Sequence, residues 1–192
     1  MKATQMILSG AVLAFGLSAG AANETVTIQM MDAQGKNMGT AVLTELSKGV
    51  QIELDLKGLT PGEKAFHIHE KGDCQAPKFT SAGPHLNPDG HKHGHVEGGP
   101  HAGDMSNITV ATDGTAKVKV VNESVSLTKK DRGFLRGPQG AALVVHAKAD
   151  DYKSQPAGDA GDRLLCGVIS AAAAPAPTVA PTPAPVKAKA KK

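Results

Sequence analysis

An all-β fold, about eight short antiparallel strands closed into a sandwich or barrel, is predicted by two observations and supported by a third. Apolar residues in the middle of the 192-residue chain recur with period two, and no stretch of about 11 residues or more carries a helical period. Turn residues punctuate the apolar runs at Ala33-Gln34-Gly35, Thr60-Pro61-Gly62 and Thr112-Asp113-Gly114. Aromatic residues are scarce, with four Phe, one Tyr and no Trp, so mostly aliphatic side chains must fill the interior.

The elements follow in order. Residues 1–21 read as a secretory signal, with Lys2 in a charged segment, an apolar run from Met6 to Leu17, and the small residues Ala19-Gly20-Ala21 before a polar stretch. That run is about 12 residues against the roughly 20 that a membrane span needs, and no later segment is apolar enough to span. Val26-Thr27-Ile28-Gln29-Met30, Val50 to Leu56 and Lys117 to Val120 alternate apolar and polar, the pattern of strands with one buried face. Gly39 to Leu46, Lys64 to His69, Asn107 to Ala111, Ala141 to His146 and Leu164 to Ile169 complete the set. The exception is Glu70 to Ser106, which has almost no apolar periodicity and is too long for an idle loop. Something besides a hydrophobic core must order it, and its histidines are the candidates. Residues 171–192, biased to Pro, Ala and Lys, read as a solvated tail that buries nothing. The expected organisation is a signal at 1–21, one domain at 22–170 and a disordered tail at 171–192.

Charge and cysteines narrow the classes. Of 21 basic residues, Lys2 and the tail's Lys187, Lys189, Lys191 and Lys192 lie outside the domain, leaving 16 against 18 acidic. A slightly acidic domain without stacking aromatics gives nucleic-acid binding no support. In an exported chain the two cysteines, Cys74 and Cys166, are expected to form a disulfide. Export also points to the periplasm.

The histidines carry the chemistry. Five of the eight fall in GPHLNPDGHKHGHVEGGPHAGD, residues 83–104. In Phe66-His67-Ile68-His69 the two imidazoles share the outer face of a strand, while Phe66 and Ile68 point inward. His85, His93 and His101 are spaced eight apart, and Asp104 stands three beyond the last. Nitrogen donors with one carboxylate suit a closed zinc site, although a loose metal-scavenging patch has the same composition. His91 and His95 flank His93 and read as bystanders. His146 ends an apolar strand, where a lone histidine is more often structural.

The segments HIHEKGDC (67–74), GPHLNPDGHKHG (83–94), HAGDMSNI (101–108), GAALVVHAKADDY (140–152) and GDRLLCGVI (161–169) resemble, in that order, the signature segments of copper,zinc superoxide dismutases. The short segment 149–163 and the early cysteine of HEKGDC are similar to the bacterial, exported branch of that family. The resemblance implies an eight-stranded Greek-key β-sandwich or barrel with long metal-binding loops, one copper ion and one zinc ion per chain, and superoxide as substrate. It implies copper held by His67, His69, His85 and His146, and zinc held by His85, His93, His101 and Asp104, with His85 bridging as an imidazolate. Asp150 matches the aspartate that links a copper-side histidine to a zinc-side one, here His67 and His93. Arg163 matches the arginine beside the copper, and Cys74 with Cys166 the family disulfide. Lys148 and Lys153 are weaker candidates for guiding an anion. Imidazole suits both metals and only copper changes oxidation state, so copper is expected to do the chemistry and zinc to order the loop. A homodimer is left open, and the tail's partner is unknown. The competing reading is a non-enzymatic copper/zinc-binding or metal-delivery protein on the same fold, and a third, an envelope-adhesion role, rests on the lysine tail alone.

Overall fold

The computed structural model describes residues 23–129, 131 and 133–171. The expected signal, and the tail beyond Ala171, lie outside the described residues. Nine strands form among the described residues: β1 (Thr25–Asp32), β2 (Asn37–Glu45), β3 (Val50–Leu56), β4 (Gly62–Lys64), β5 (Phe66–His69), β6 (Ile108–Val110), β7 (Ala116–Asn122), β8 (Ala141–His146) and β9 (Arg163–Ile169). Seven make one sheet in the order β5-β8-β9-β1-β2-β3-β7, and β4 with β6 forms a short ribbon. Every strand pairing is antiparallel, as the period-two pattern requires.

Alternation decides which side chains are buried. Met38, Ala41 and Leu43 of β2 and Val50, Ile52, Leu54 and Leu56 of β3 enter one core with Ile28, Met30, Phe66, Ile68, Leu143, Val145 and Leu165. Each fully buried large aliphatic or Phe contributes about 1.5–3 kcal/mol relative to exposure. Glu45, at the inward-facing end of β2, is buried too. Its carboxylate accepts hydrogen bonds from Ser126 Oγ at 2.9 Å, Leu127 N at 2.6 Å and Thr128 Oγ1 at 3.1 Å, which tethers the segment after β7.

The strand count differs from the expected eight because Lys64 to His69 is divided. Lys64 pairs with Ile108 in the ribbon, whereas Phe66 pairs with Val145 in the main sheet. Between them Ala65 donates its N–H to Lys148 O and accepts the His146 N–H, each at 2.8 Å, so the chain changes sheets with no backbone group left unpaired.

β8 is buried along its whole length. Its inner residues meet the core, and its outer residues Ala142 and Val144 pack with Phe79, Ala82 and Cys166 in a second small apolar cluster. Cys74 and Cys166 are joined in a disulfide, with Cα atoms 5.7 Å apart. The first part of the 70–106 loop is therefore ordered by the expected disulfide together with this apolar cluster, which the sequence did not announce. That places the remainder of the loop over the outer face of β5.

Candidate metal centre

His67 and His69 project from the outer face of β5, yet both are completely buried. The loop covers them. It does so by pairing with the edge of β5: Leu86 N donates to Ile68 O at 2.8 Å and Ile68 N donates to Gly103 O at 2.9 Å, and His85 lies bridged to His69. A Cβ on Gly103 would stand 2.2 Å from Ile68 O, so only glycine admits this approach. His146 ends β8 directly across from Arg163 of β9. Strand register thus sets imidazole and guanidinium side by side.

Two donor groups result, and they share His85. His67, His69, His85 and His146 bring one nitrogen each within 4.8 Å of one another, and His85, His93, His101 and Asp104 do the same with three nitrogens and a carboxylate oxygen. Asp104 Oδ1 is 2.9 Å from His85 Nδ1, 3.1 Å from His93 Nδ1 and 3.2 Å from His101 Nδ1. Its other oxygen accepts the backbone N–H groups of Gly94 and His101 at 2.9 and 3.0 Å, which fixes the carboxylate plane.

The remaining ring nitrogens reveal how each imidazole is aimed. His67 Nε2 is 2.8 Å from Asp150 Oδ2, His93 Nε2 is 3.0 Å from Asp150 Oδ1, and His69 Nδ1 is 2.8 Å from Gly83 O. Each of these contacts orients a ring from behind, as outer partners do at metal sites. The opposite atoms, His67 Nδ1, His69 Nε2, His85 Nε2, His93 Nδ1, His101 Nδ1 and His146 Nε2, are buried and form no hydrogen bond among the described residues, although His93 Nδ1 and His101 Nδ1 approach Asp104 Oδ1. Buried polar atoms are seldom left so, and six converging on two points fit two cations.

Burial favours the neutral form of His67, His69, His101 and His146, the form that binds metal. Desolvation lowers the His67 pKa to about 4, against a hydrogen bond donated to Asp150 that raises it. Desolvation likewise lowers His146 to about 3 and His69 to about 2, with the charge of Arg163 adding to the effect at His69. For Asp104, burial pushes upward, but hydrogen bonds from His85 and two backbone N–H groups outweigh it and hold the carboxyl well below its usual range.

Arg163 donates from Nη1 to Phe79 O at 2.7 Å and from Nη2 to Gly83 O at 2.8 Å. It faces an open cavity of about 1140 Å³ whose wall also carries His69, His85, His101, His146 and Lys92. Lys148 lies 3.5 Å from Asp159, and Lys153 is exposed and absent from that wall. His91 Nδ1 is 3.0 Å from Pro100 O, and exposed His95 stacks on Tyr152. Neither belongs to a donor group among the described residues.

Sequence reasoning missed several supports. Gly158 presses on the Asp150–His93 contact so closely that a Cβ there would lie 1.9 Å from Asp150 Oδ1. Gln155 accepts His93 N and donates to His93 O, both at 2.9 Å, and Asn107 and Tyr152 bracket Asp150. Only the glycine-rich run 157–161 hinted at close packing.

Fold and site together define an antiparallel β-barrel protein with donors for two metal ions that share one imidazole. The model for the family described as copper/zinc superoxide dismutase (SODC) matches residues 37–169, and the chain belongs to that family, whose cofactors are copper and zinc. It is 44% identical over 171 residues to superoxide dismutase [Cu-Zn] 2 of Aquifex aeolicus (strain VF5), covering 88% of this chain and 99% of that protein. A double mutant of a SOD-like protein from Bacillus subtilis superposes with a TM-score of 0.73 at 37% identity, over 75% of this chain and 96% of that one. The Cu/Zn superoxide dismutase from Brucella abortus gives 0.62 at 31% identity, over 76% and 99%.

Proposed function

We propose that this chain dismutes superoxide at a copper ion held by His67, His69, His85 and His146, beside a zinc ion held by His85, His93, His101 and Asp104. The observation that carries the reading is the set of six buried ring nitrogens that form no hydrogen bond among the described residues, divided between two groups that share His85. When bound, copper supplies the one-electron Cu(II)/Cu(I) couple by which one superoxide becomes O₂ and a second, with two protons, becomes H₂O₂, while redox-silent zinc supplies charge and order.

The chain's own residues do the rest. His85 is buried with Nδ1 toward Asp104 and Nε2 toward His67, His69 and His146, so this one ring would serve both sites, and its Nε2 is the atom placed to hold a proton on the copper side. Asp150 accepts from His67 and His93 at once and keeps each ring's other nitrogen aimed at its site. Arg163, pinned by two carbonyls at the cavity, offers a fixed cation to a small anion. A metal carrier needs the donors but has no use for that cation.

Export to the periplasm belongs to the same reading, supported by the signal-like residues 1–21 and by a disulfide suited to an oxidising compartment. Metal analysis of the purified protein with a superoxide-decay assay tests the whole. One copper and one zinc per chain with rapid decay is the expected result, and metal binding without decay would return the chain to the carrier class.

A further inference from the structure

We infer that Tyr152 is a positioning residue for zinc: it clasps together the three segments that carry His93, Asp104 and Asp150. The inference rests on the assignment of His85, His93, His101 and Asp104 to zinc, and adds to it the device that keeps those donors assembled.

Tyr152, two residues beyond Asp150, meets the segments of His93 and Asp104 through its backbone, its hydroxyl and its ring. Tyr152 N donates to Asp150 Oδ1 at 2.6 Å, its carbonyl accepts the His95 N–H at 2.8 Å, and its hydroxyl accepts the Asn107 N–H at 2.7 Å. Its ring stacks on His95, two residues beyond His93, with centroids 4.9 Å apart and planes 27° from parallel. Asn107, three residues beyond Asp104, completes the clasp from the other side: its Oδ1 accepts Asp150 N at 2.8 Å and its Nδ2 donates to Asp150 O at 2.9 Å.

Two further features say that this geometry is built. Tyr152 has φ 58°, a left-handed conformation that a bulky residue adopts only when its surroundings hold it there. Gly94 meets it so closely that a Cβ would lie 2.1 Å from Tyr152 O, so the residue beside His93 must be glycine. Tyr152 packs against neither apolar cluster. Its contacts run to the segments of the zinc-side donors and to Asp150, which itself touches His93 and His67. Removing the hydroxyl leaves the Asn107 N–H without its acceptor and weakens the link between the Asp104 and Asp150 segments, which then rests on the two Asn107 side-chain bonds to Asp150.

The test is zinc release from the copper- and zinc-loaded full-length protein to a chelator in excess, for wild type, Tyr152→Phe, Asp150→Asn and the double variant, with the melting temperature of each metal-free protein measured alongside. Loss of a group bonded directly to a ligand weakens metal binding by about 10–100-fold, so Tyr152→Phe, whose hydroxyl acts one contact further out, is expected to release zinc faster by less than about tenfold with copper content unchanged. A role exerted through Asp150 predicts that Tyr152→Phe adds little once Asp150→Asn is present, whereas general loosening of the fold predicts effects that multiply. His95→Ala, at an exposed position, removes only the stacking partner and is expected to accelerate release less, in the same direction. A wild type without zinc overturns the site assignment and the clasp with it. A wild type with one zinc per chain, whose release is matched by Tyr152→Phe, overturns the clasp alone, as do effects of the two substitutions that multiply.

Discussion

At the scale of single residues, the donors were legible by type and spacing, because metal chemistry admits few side chains and strands place i and i+2 on one face. Which ring nitrogen faces the metal was not. His67 presents Nδ1 while His69 and His146 present Nε2, and the difference arises from Asp150, 83 residues away, which occupies His67 Nε2. Asp104 is the residue whose loss separates the two sites. Asp104→Ala removes the one carboxylate from the zinc group and leaves His67, His69, His85 and His146 in place, so zinc retention falls while copper stays near one per chain. Metal analysis after dialysis checks this, and equal loss of both metals would mean the donors are not divided as proposed. A second expectation concerns the metal-free protein. Burial holds His67 at about 4, His146 at about 3 and His69 at about 2 in the fold, against 6.5 when unfolded. Below pH 6.5 the unfolded chain therefore binds more protons than the folded one. Stability is whole above 6.5 and declines as pH falls from there towards 4. Thermal melts of the metal-free protein across that window should show the decline, and a flat profile would place these rings in contact with solvent.

At the scale of elements, alternation read the meander β1-β2-β3 correctly because each strand has one face in the core and one in water. It could not read β4 and β5 as separate strands, since the break at Ala65 follows from partners in β6 and β8 that lie 40 or more residues downstream. Nor could it foresee that β8 is buried on both faces, because the outer cover comes from Phe79 and Ala82 of the 70–106 loop. The disulfide is the covalent part of that cover. It closes 92 residues, which corresponds to about 4–5 kcal/mol in the chain-entropy account. Denatured, unreduced protein should show no titratable thiol. Cys74→Ala with Cys166→Ala should lower unfolding stability by about that amount in denaturant titrations. The same loop supplies Phe79 O and Gly83 O to Arg163, so the double variant should also lose catalytic efficiency at unchanged copper content. Full efficiency in it would show that Arg163 holds its place without the loop.

At the scale of the molecule, sequence counting gave a slightly acidic domain, which by itself should repel superoxide. Distribution resolves the conflict. On the cavity wall Glu70 lies 3.8 Å from Lys71 and Asp159 lies 3.5 Å from Lys148, while the wall's own cations are Arg163 and Lys92. Lys148, a candidate guide by sequence, is exposed beside Asp159 and is not part of that wall. Clefts lined by one sign of charge raise the capture of small ions, and superoxide dismutase is itself a known example of such steering. Arg163 is half-buried, fixed by two carbonyls and set across from His146, so its field is the part that depends least on a mobile side chain. Arg163→Ala should therefore keep both metals and the fold but lower kcat/KM. Salt screens charge attraction over about 10 Å at 0.1 M, so the wild type should slow with ionic strength more steeply than Arg163→Ala. Arg163→Lys should fall between them, keeping the charge while losing the planar fork that engages both carbonyls at once. Pulse-radiolysis decay of superoxide against ionic strength, with metal content determined for each protein, gives the three slopes; equal rates and equal slopes would remove Arg163 from the capture of substrate and leave a metal-binding barrel with no anion guide of its own.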